Sequence, residues 1–355
     1  MNGGKTMNPR ARYGQSACAV MMTVGISVLG CATTGGGGGG EVPKEAAPPI
    51  VDPVGKDGAP MLFVAMPNSP DFVAVRKGLV SEVQKTFNVK TFVVSGETKD
   101  ADFAAALETA KPVCVVLMNN GTMNLFHRYE EAHAGAKQIP TVVVMASFLE
   151  EVRGKLKHAT GIAYEVPGVT AFVNLRSVVK TPVTKVGVVY RPVFKKFIER
   201  QKALAAKENV ELIPVSIAAD ISASGLRDTL SAMVKTNKVD AVWMLNDNTL
   251  LRDGTFLNEA WHAALAEANV PLIVGVPNLV DPASPLGTLA VVPDHEGLGF
   301  QAANLIFDLL DSDWDVDGHA VELPLSVKTV VDVKSVKASF GLREDALRHI
   351  DKALE

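Results

Sequence analysis

From residue 61 onward, short uninterrupted apolar runs rich in β-branched residues alternate with stretches whose apolar positions recur every three or four residues. The apolar runs are 61–66, 89–94, 113–118 and 141–145, then 185–190, 211–215, 241–245 and 272–276. Runs this short with no polar face predict strands buried on both sides, as in parallel sheets. The amphipathic stretches 71–87, 102–110, 192–208, 225–236 and 255–269 predict the helices that cover them. The alternation predicts an α/β fold built on mostly parallel sheets flanked by helices.

The pattern occurs twice. Met61-Leu-Phe-Val-Ala-Met matches Lys185-Val-Gly-Val-Val-Tyr, and Val113-Cys-Val-Val-Leu-Met-Asn-Asn matches Asp240-Ala-Val-Trp-Met-Leu-Asn-Asp. Ile139-Pro-Thr-Val-Val-Val likewise matches Val270-Pro-Leu-Ile-Val-Gly. Three matches in the same order at a nearly constant offset predict two lobes of like topology rather than one large sheet. In open parallel sheets, ligands lie outside the carboxyl ends of the strands, so two such lobes can enclose one cleft between their strand ends.

The candidate ligand contacts at those ends are Met66, Asn68, Ser69, Asn119, Asn120, Ser147, Tyr164, Tyr190, Arg191, Asn246, Asp247, Pro277, Asn278 and Asp294. Arg191 with Ser147 can hold a carboxylate, since a guanidinium offers a two-pronged fork. Asp247 or Asp294 can hold an ammonium group, and Tyr164 and Tyr190 can stack on a flat ligand. Met66, Met118, Met145 and Met244 read as an adaptable wall for an apolar ligand, or as core beneath the cleft. An amino-acid-like and a lipid-like ligand both stay open on this reading.

Before residue 61 the pattern changes. Residues 1–30 carry Lys5, Arg10 and Arg12, no acidic residue, and an uncharged run over 16–30, which reads as a secretory signal peptide. The run is short for a permanent membrane span. It closes on Val28-Leu29-Gly30-Cys31, which resembles the lipobox of bacterial lipoproteins. That resemblance implies cleavage between Gly30 and Cys31, a lipid on Cys31, and outer-membrane sorting from Ala32. Six glycines at 35–40, followed by a Pro- and Ala-rich stretch, read as a tether over 31–60. The glycine run lacks the Lys-Ser/Thr ending of a phosphate loop.

Composition narrows the functions. Of 355 residues 47% are hydrophobic and 21% charged, which excludes a disordered chain. With 35 basic and 39 acidic residues the net charge is −4, which argues against a nucleic-acid partner. Three cysteines make no disulfide framework, and Cys114 sits inside an apolar run, where an inert thiol is expected. The seven histidines are scattered without metal-ligand spacing, and neither a Gly-x-Ser-x-Gly nor a His-Glu-x-x-His motif is present. Asp313-Trp-Asp-Val-Asp-Gly imitates the start of a calcium loop, but Pro324 stands where a bidentate Glu is needed. No cofactor, metal or enzymatic activity is therefore expected.

One stretch carries a family resemblance. Gly287-Thr-Leu-Ala-Val-Val-Pro-Asp-His-Glu-Gly-Leu-Gly-Phe-Gln-Ala-Ala resembles the Gly-Ala-Leu-Ala…Gly-x-Gln-Ala-Ala segment of ABC-transporter substrate-binding proteins of the tryptophan/tyrosine-type family. Thr160-Gly-Ile, Val239-Asp-Ala-Val, Leu323-Pro and Phe340-Gly-Leu fit the same family. The resemblance implies a type 1 periplasmic-binding-protein fold, with two α/β lobes, three crossovers and a small-molecule ligand between the lobes. It also implies a membrane ABC permease as partner and a location in the periplasm or cell envelope.

The expected organisation is signal peptide 1–30, tether 31–60, first lobe 61–165 with 289–317, and second lobe 166–288 with 318–355. Two stretches depart from the family. Ala146-Ser-Phe-Leu replaces an Asp-Pro, and Gly154-Lys-Leu-Lys-His-Ala-Thr-Gly replaces a Pro-Gly-Gly-Asn-Ile-Thr-Gly segment. The expected function is that of a lipid-anchored solute-binding protein. The alternatives are a surface lipoprotein that regulates a partner protein through the same fold and a carrier of a lipid-like ligand.

Overall fold

The computed structural model describes residues 49–266, 268–282 and 286–354. The signal peptide, the lipobox with Cys31 and the glycine run lie outside the described residues.

The first lobe is a parallel sheet of five strands, β1 (Met61–Pro67), β2 (Asn88–Val94), β3 (Cys114–Met118), β4 (Thr141–Val144) and β5 (Ala159–Gly161), in the order β2-β1-β3-β4-β5. Helices α1 (Pro70–Val83), α2 (Asp100–Ala110), α3 (Asn120–Ala132) and the single turn α4 (Leu149–Val152) connect its strands. The second lobe holds β6 (Lys185–Tyr190), β7 (Glu211–Ser216), β8 (Ala241–Trp243), β9 (Leu272–Val274) and β10 (Leu289–Pro293). Their order, β7-β6-β8-β9-β10, is the first sheet's order repeated. The doubled sequence pattern therefore corresponds to a doubled topology, with β1, β3 and β4 answering to β6, β8 and β9.

Two further strands, β11 (Val327–Asp332) and β12 (Lys352–Leu354), extend the second sheet past β10, and β11 runs antiparallel to it. Around this sheet lie α5 (Gly168–Val178), α6 (Lys195–Lys207), α7 (Ala223–Lys235), a π-helical turn Phe256–His262 running into α8 (Ala263–Ala266), and α10 (Val333–Ser339). β3 and β4 are buried along their whole length, as continuous apolar runs in a covered parallel sheet should be. Pro214 sits in β7 at the sheet edge, where its missing N–H costs no ladder bond.

The chain passes between the lobes three times: after β5, after β10, and ahead of β11. On its middle passage it forms α9 (His295–Asp311), which returns to the first lobe. Leu298, Ala302, Leu305, Ile306 and Leu309 of α9 complete the core built by Leu62, Val64, Val75 and Leu79. α9 lies against α1 at Gly78 and Gly299, where a methyl group on either would run into the facing backbone at the Glu296 or Val75 carbonyl. The first and third passages run side by side, joined by the Glu322 N–H to the Gly161 carbonyl and the Ala163 N–H to the Glu322 carbonyl, each 2.9 Å. Among the described residues, no helix is long and apolar enough to cross a membrane.

Two boundaries differ from the sequence reading. The segment 289–317 was expected whole in the first lobe, but Leu289–Pro293 hydrogen-bonds to β9 and β11 in the second sheet, so the crossing falls after Pro293. The expected tether over 31–60 also ends sooner. Asp52 pairs with Arg76 at 2.9 Å and accepts the Thr91 N–H, while Asn88 holds the backbone at Lys56. Pro and Ala composition marks this stretch as a linker, yet one aspartate is enough to fasten it to the first lobe.

Candidate functional site

The strand ends of the second lobe meet the first passage at Tyr164 and Glu165. These residues line a cavity of about 20 Å³ with Trp243, Asn246 and Gly275. That is room for one water-sized group. Glu165 is buried, its Oε2 accepts the Phe148 N–H at 2.8 Å, and its Oε1 has no hydrogen-bond partner among the described residues. Burial pushes its carboxyl up to about 8; the N–H groups of Phe148 and Glu165 pull the other way, and the nearby Glu151 adds to the rise.

Phe148 comes from the first lobe but packs in the second. Its ring stacks on Phe194 at 3.9 Å between centroids and meets Phe197 edge-on at 5.2 Å, within the second-lobe core. Its backbone is left-handed, with φ 55°, which costs a non-glycine residue energy that the aromatic packing must offset. On the same side, Arg200 of α6 bridges Glu150 and Glu151 of α4 at 2.6 and 2.7 Å. An open groove of about 720 Å³ runs past these residues and Arg153, Pro192 and Lys196.

Several candidates are engaged with one another. Arg191 and Asp247, proposed to hold opposite ends of a ligand, grip each other through two bonds of 2.6 and 2.8 Å across the tips of β6 and β8. Only 1% of the Asp247 side chain is exposed. Asn119 adopts a positive φ and caps α3 through the Thr122 N–H. The Asn120 side chain bonds both ways to the Ser147 backbone, tying the β3 and β4 tips together. Asp294 pairs with Lys328 at 2.8 Å, which holds its carboxyl below the usual range despite its burial.

The methionines do not form a ligand wall as a set. Met66, Met118 and Met145 pack in the first-lobe core, and Met244 packs in the second-lobe core while also touching the cavity. Their strands are covered on both faces, so side chains near the tips turn into core. Tyr190 packs half-buried against the second-lobe core; Asn68 and Asn278 are exposed, and Ser69 and Pro277 are half-buried. The structure thus brings Tyr164 and Asn246 to the cavity and leaves the others at the rim or in structural bonds.

Tyr164 also begins a chain of polar contacts. Its hydroxyl lies 3.1 Å from His295 Nε2, and His295 Nδ1 lies 3.2 Å from Asp71, joining the passage segment to the N-termini of α9 and α1. The bond from His295 lowers the Asp71 carboxyl against its desolvation. Burial, reinforced by Asp71 and Glu165, raises the Tyr164 phenol, which keeps it protonated and unsuited to act as a nucleophile. Glu165, Phe148 and His295 were not among the sequence candidates. Only Phe148 left a sequence signal, in the departure at 146–149.

No protein-family model and no curated protein matches the sequence. Solved structures do match the fold. An ABC domain from Streptococcus pneumonia in complex with L-Trp is 18% identical, with a TM-score of 0.55, over 84% of this chain and all of that one. The chain has the type 1 periplasmic-binding-protein fold. A ligand-free, open substrate-binding protein with adhesive properties from Clostridium difficile is 14% identical, with a TM-score of 0.61, over 84% of this chain and 99% of that one. A conserved domain protein from Vibrio cholerae is 18% identical, with a TM-score of 0.54, over 83% of this chain and 99% of that one. The two α/β lobes and three passages expected from the sequence are those of this type 1 fold.

Proposed function

We propose that the protein is a solute-binding protein that captures a small molecule between its lobes and hands it to a membrane ABC-type transporter, without catalysing a reaction. The observation that carries this reading is the cavity at the second lobe's strand ends, where Asn246 beyond β8 meets Tyr164 and Glu165 of the passage from the first lobe, the position where open parallel sheets hold ligands. The cavity is too small for a solute in this arrangement, so binding requires the lobes to part and close again. A solute that prefers the closed form stabilises it by the difference in its affinity for the two forms. We read Cys31 as the lipid anchor that keeps the protein at a membrane of the cell envelope, and the stretch between it and Asp52 as the tether.

Thermal unfolding in a panel of amino acids, nucleosides, sugars and lipids tests the capture step. A cognate solute at a hundred times its Kd adds about 2.7 kcal/mol of stability and raises Tm. No shift across the panel counts against solute binding. Partition into detergent, lost in Cys31→Ser, tests the anchor.

A second reading, a lipoprotein that regulates a partner protein and binds no solute, draws on Phe148. Its ring packs into the second-lobe core against Phe194 and so ties the two lobes together without a ligand. A flat solute panel together with capture of an envelope protein by the closed form favours that reading.

A further inference from the structure

Glu165 stands where the two lobes are fastened together. It belongs to the first passage, its Oε2 holds the Phe148 N–H of the 145–149 loop, and its Oε1 is buried without a partner among the described residues. The Phe148 side chain follows its N–H into the second lobe, between Phe194 and Phe197. One carboxyl therefore fixes the loop that carries the aromatic bridge.

We propose that Glu165 is a proton-operated latch: its neutral acid form holds Phe148 and the first-lobe loop against the second lobe, and its ionisation releases them and opens the lobes. An ionised carboxylate here would be a full charge in a nearly enclosed interior, with the Phe148 N–H, its own N–H and room for at most one water-sized group to offset it. Solvating that charge fully requires the loop to leave. The surrounding charges favour the neutral form. Glu151 of α4 faces Glu165 with a like charge, only partly neutralised because its partner Arg200 is shared with Glu150. On its own segment Tyr164 stays protonated. The cavity walls from β8, β9 and β10 contribute Trp243, Asn246, Gly275 and Pro293, none of which is charged. The acids at those tips are both paired, Asp247 with Arg191 and Asp294 with Lys328.

In the closed form the Glu165 carboxyl is held up near 8, against 4.5 for a solvated glutamate. Between those values the closed form keeps a proton that the open form has shed. Closure is then fully favoured below about pH 4.5, weakens as pH rises, and stops changing above about pH 8. Within the window the closed-to-open ratio falls by up to about tenfold per pH unit.

The test needs no solute, so its outcome is separate from that of the capture reading. Small-angle scattering of the full chain from about pH 5 to about pH 9 reads the radius of gyration. Wild-type protein is expected to expand as pH rises, Glu165→Gln to stay compact throughout, and Phe148→Ala to be expanded even at low pH. A wild-type radius constant across the range, or a Glu165→Gln profile that follows the wild type, overturns the latch. If Glu165→Gln fails to fold, hydrogen exchange at the wild-type Phe148 amide, corrected for its intrinsic pH dependence, decides. Protection that falls across the window supports the latch, and constant protection overturns it.

Discussion

Arg191 and Asp247 show how far a residue's type can be read from sequence, and where reading stops. Position at two strand tips marks both as cleft residues; their chemistry, one cation and one anion, joins them to each other. Sequence places such residues at a site but does not say which group each will meet, because adjacency of the β6 and β8 tips is a matter of sheet order. The pair is asymmetric in burial, with 23% of the Arg191 side chain exposed against 1% of Asp247. Arg191→Ala strands a buried anion and is expected to cost about 3–5 kcal/mol. Asp247→Ala leaves a cation that can turn to water, so it should cost clearly less. Urea unfolding midpoints of the two variants, compared at equal slope, check the ordering.

At the scale of elements, strands were far more legible than the segments that connect them. Every apolar run seen in the sequence is a strand, because burial on both faces writes an unmistakable pattern. The short β5 and the strand β10 escaped; β5 has three residues, and β10 lay inside a stretch assigned to the other lobe. Helix α9 was likewise absent from the helices read from the sequence pattern. Its contact with α1 depends on two glycines whose meaning appears only when the helices touch. Gly299→Ala must push α9 away from the Val75 carbonyl, and we expect a loss of about 1–3 kcal/mol, as for overpacked cores. Calorimetric unfolding of that variant beside Ala303→Gly, an α9 change that adds no bulk, separates overpacking from general helix weakening. The site was the least legible part. Phe148 of a strand-end loop and Glu165 of the first passage, 17 residues apart, are drawn together by a hydrogen bond that no local pattern announces.

At the scale of the whole molecule, duplication explains why so much of the fold was visible: the same strand order is written twice, and each copy supports the other. The molecule is nevertheless not two beads on a string, since the first sheet's last covering helix is encoded after nearly all of the second lobe. On a ribosome that arrangement is a schedule. The first sheet is fully synthesised by Gly161, but the apolar face awaiting α9 stays bare until Asp311 has left the exit tunnel. At about 5–20 residues per second, that wait lasts roughly 8–30 s. Stalled nascent chains ending shortly after β5 should be digested by protease through the first lobe, whereas chains long enough to release α9 should resist. Such an interval is when a chaperone finds its client, and an export machine that needs an unfolded substrate finds its time to act.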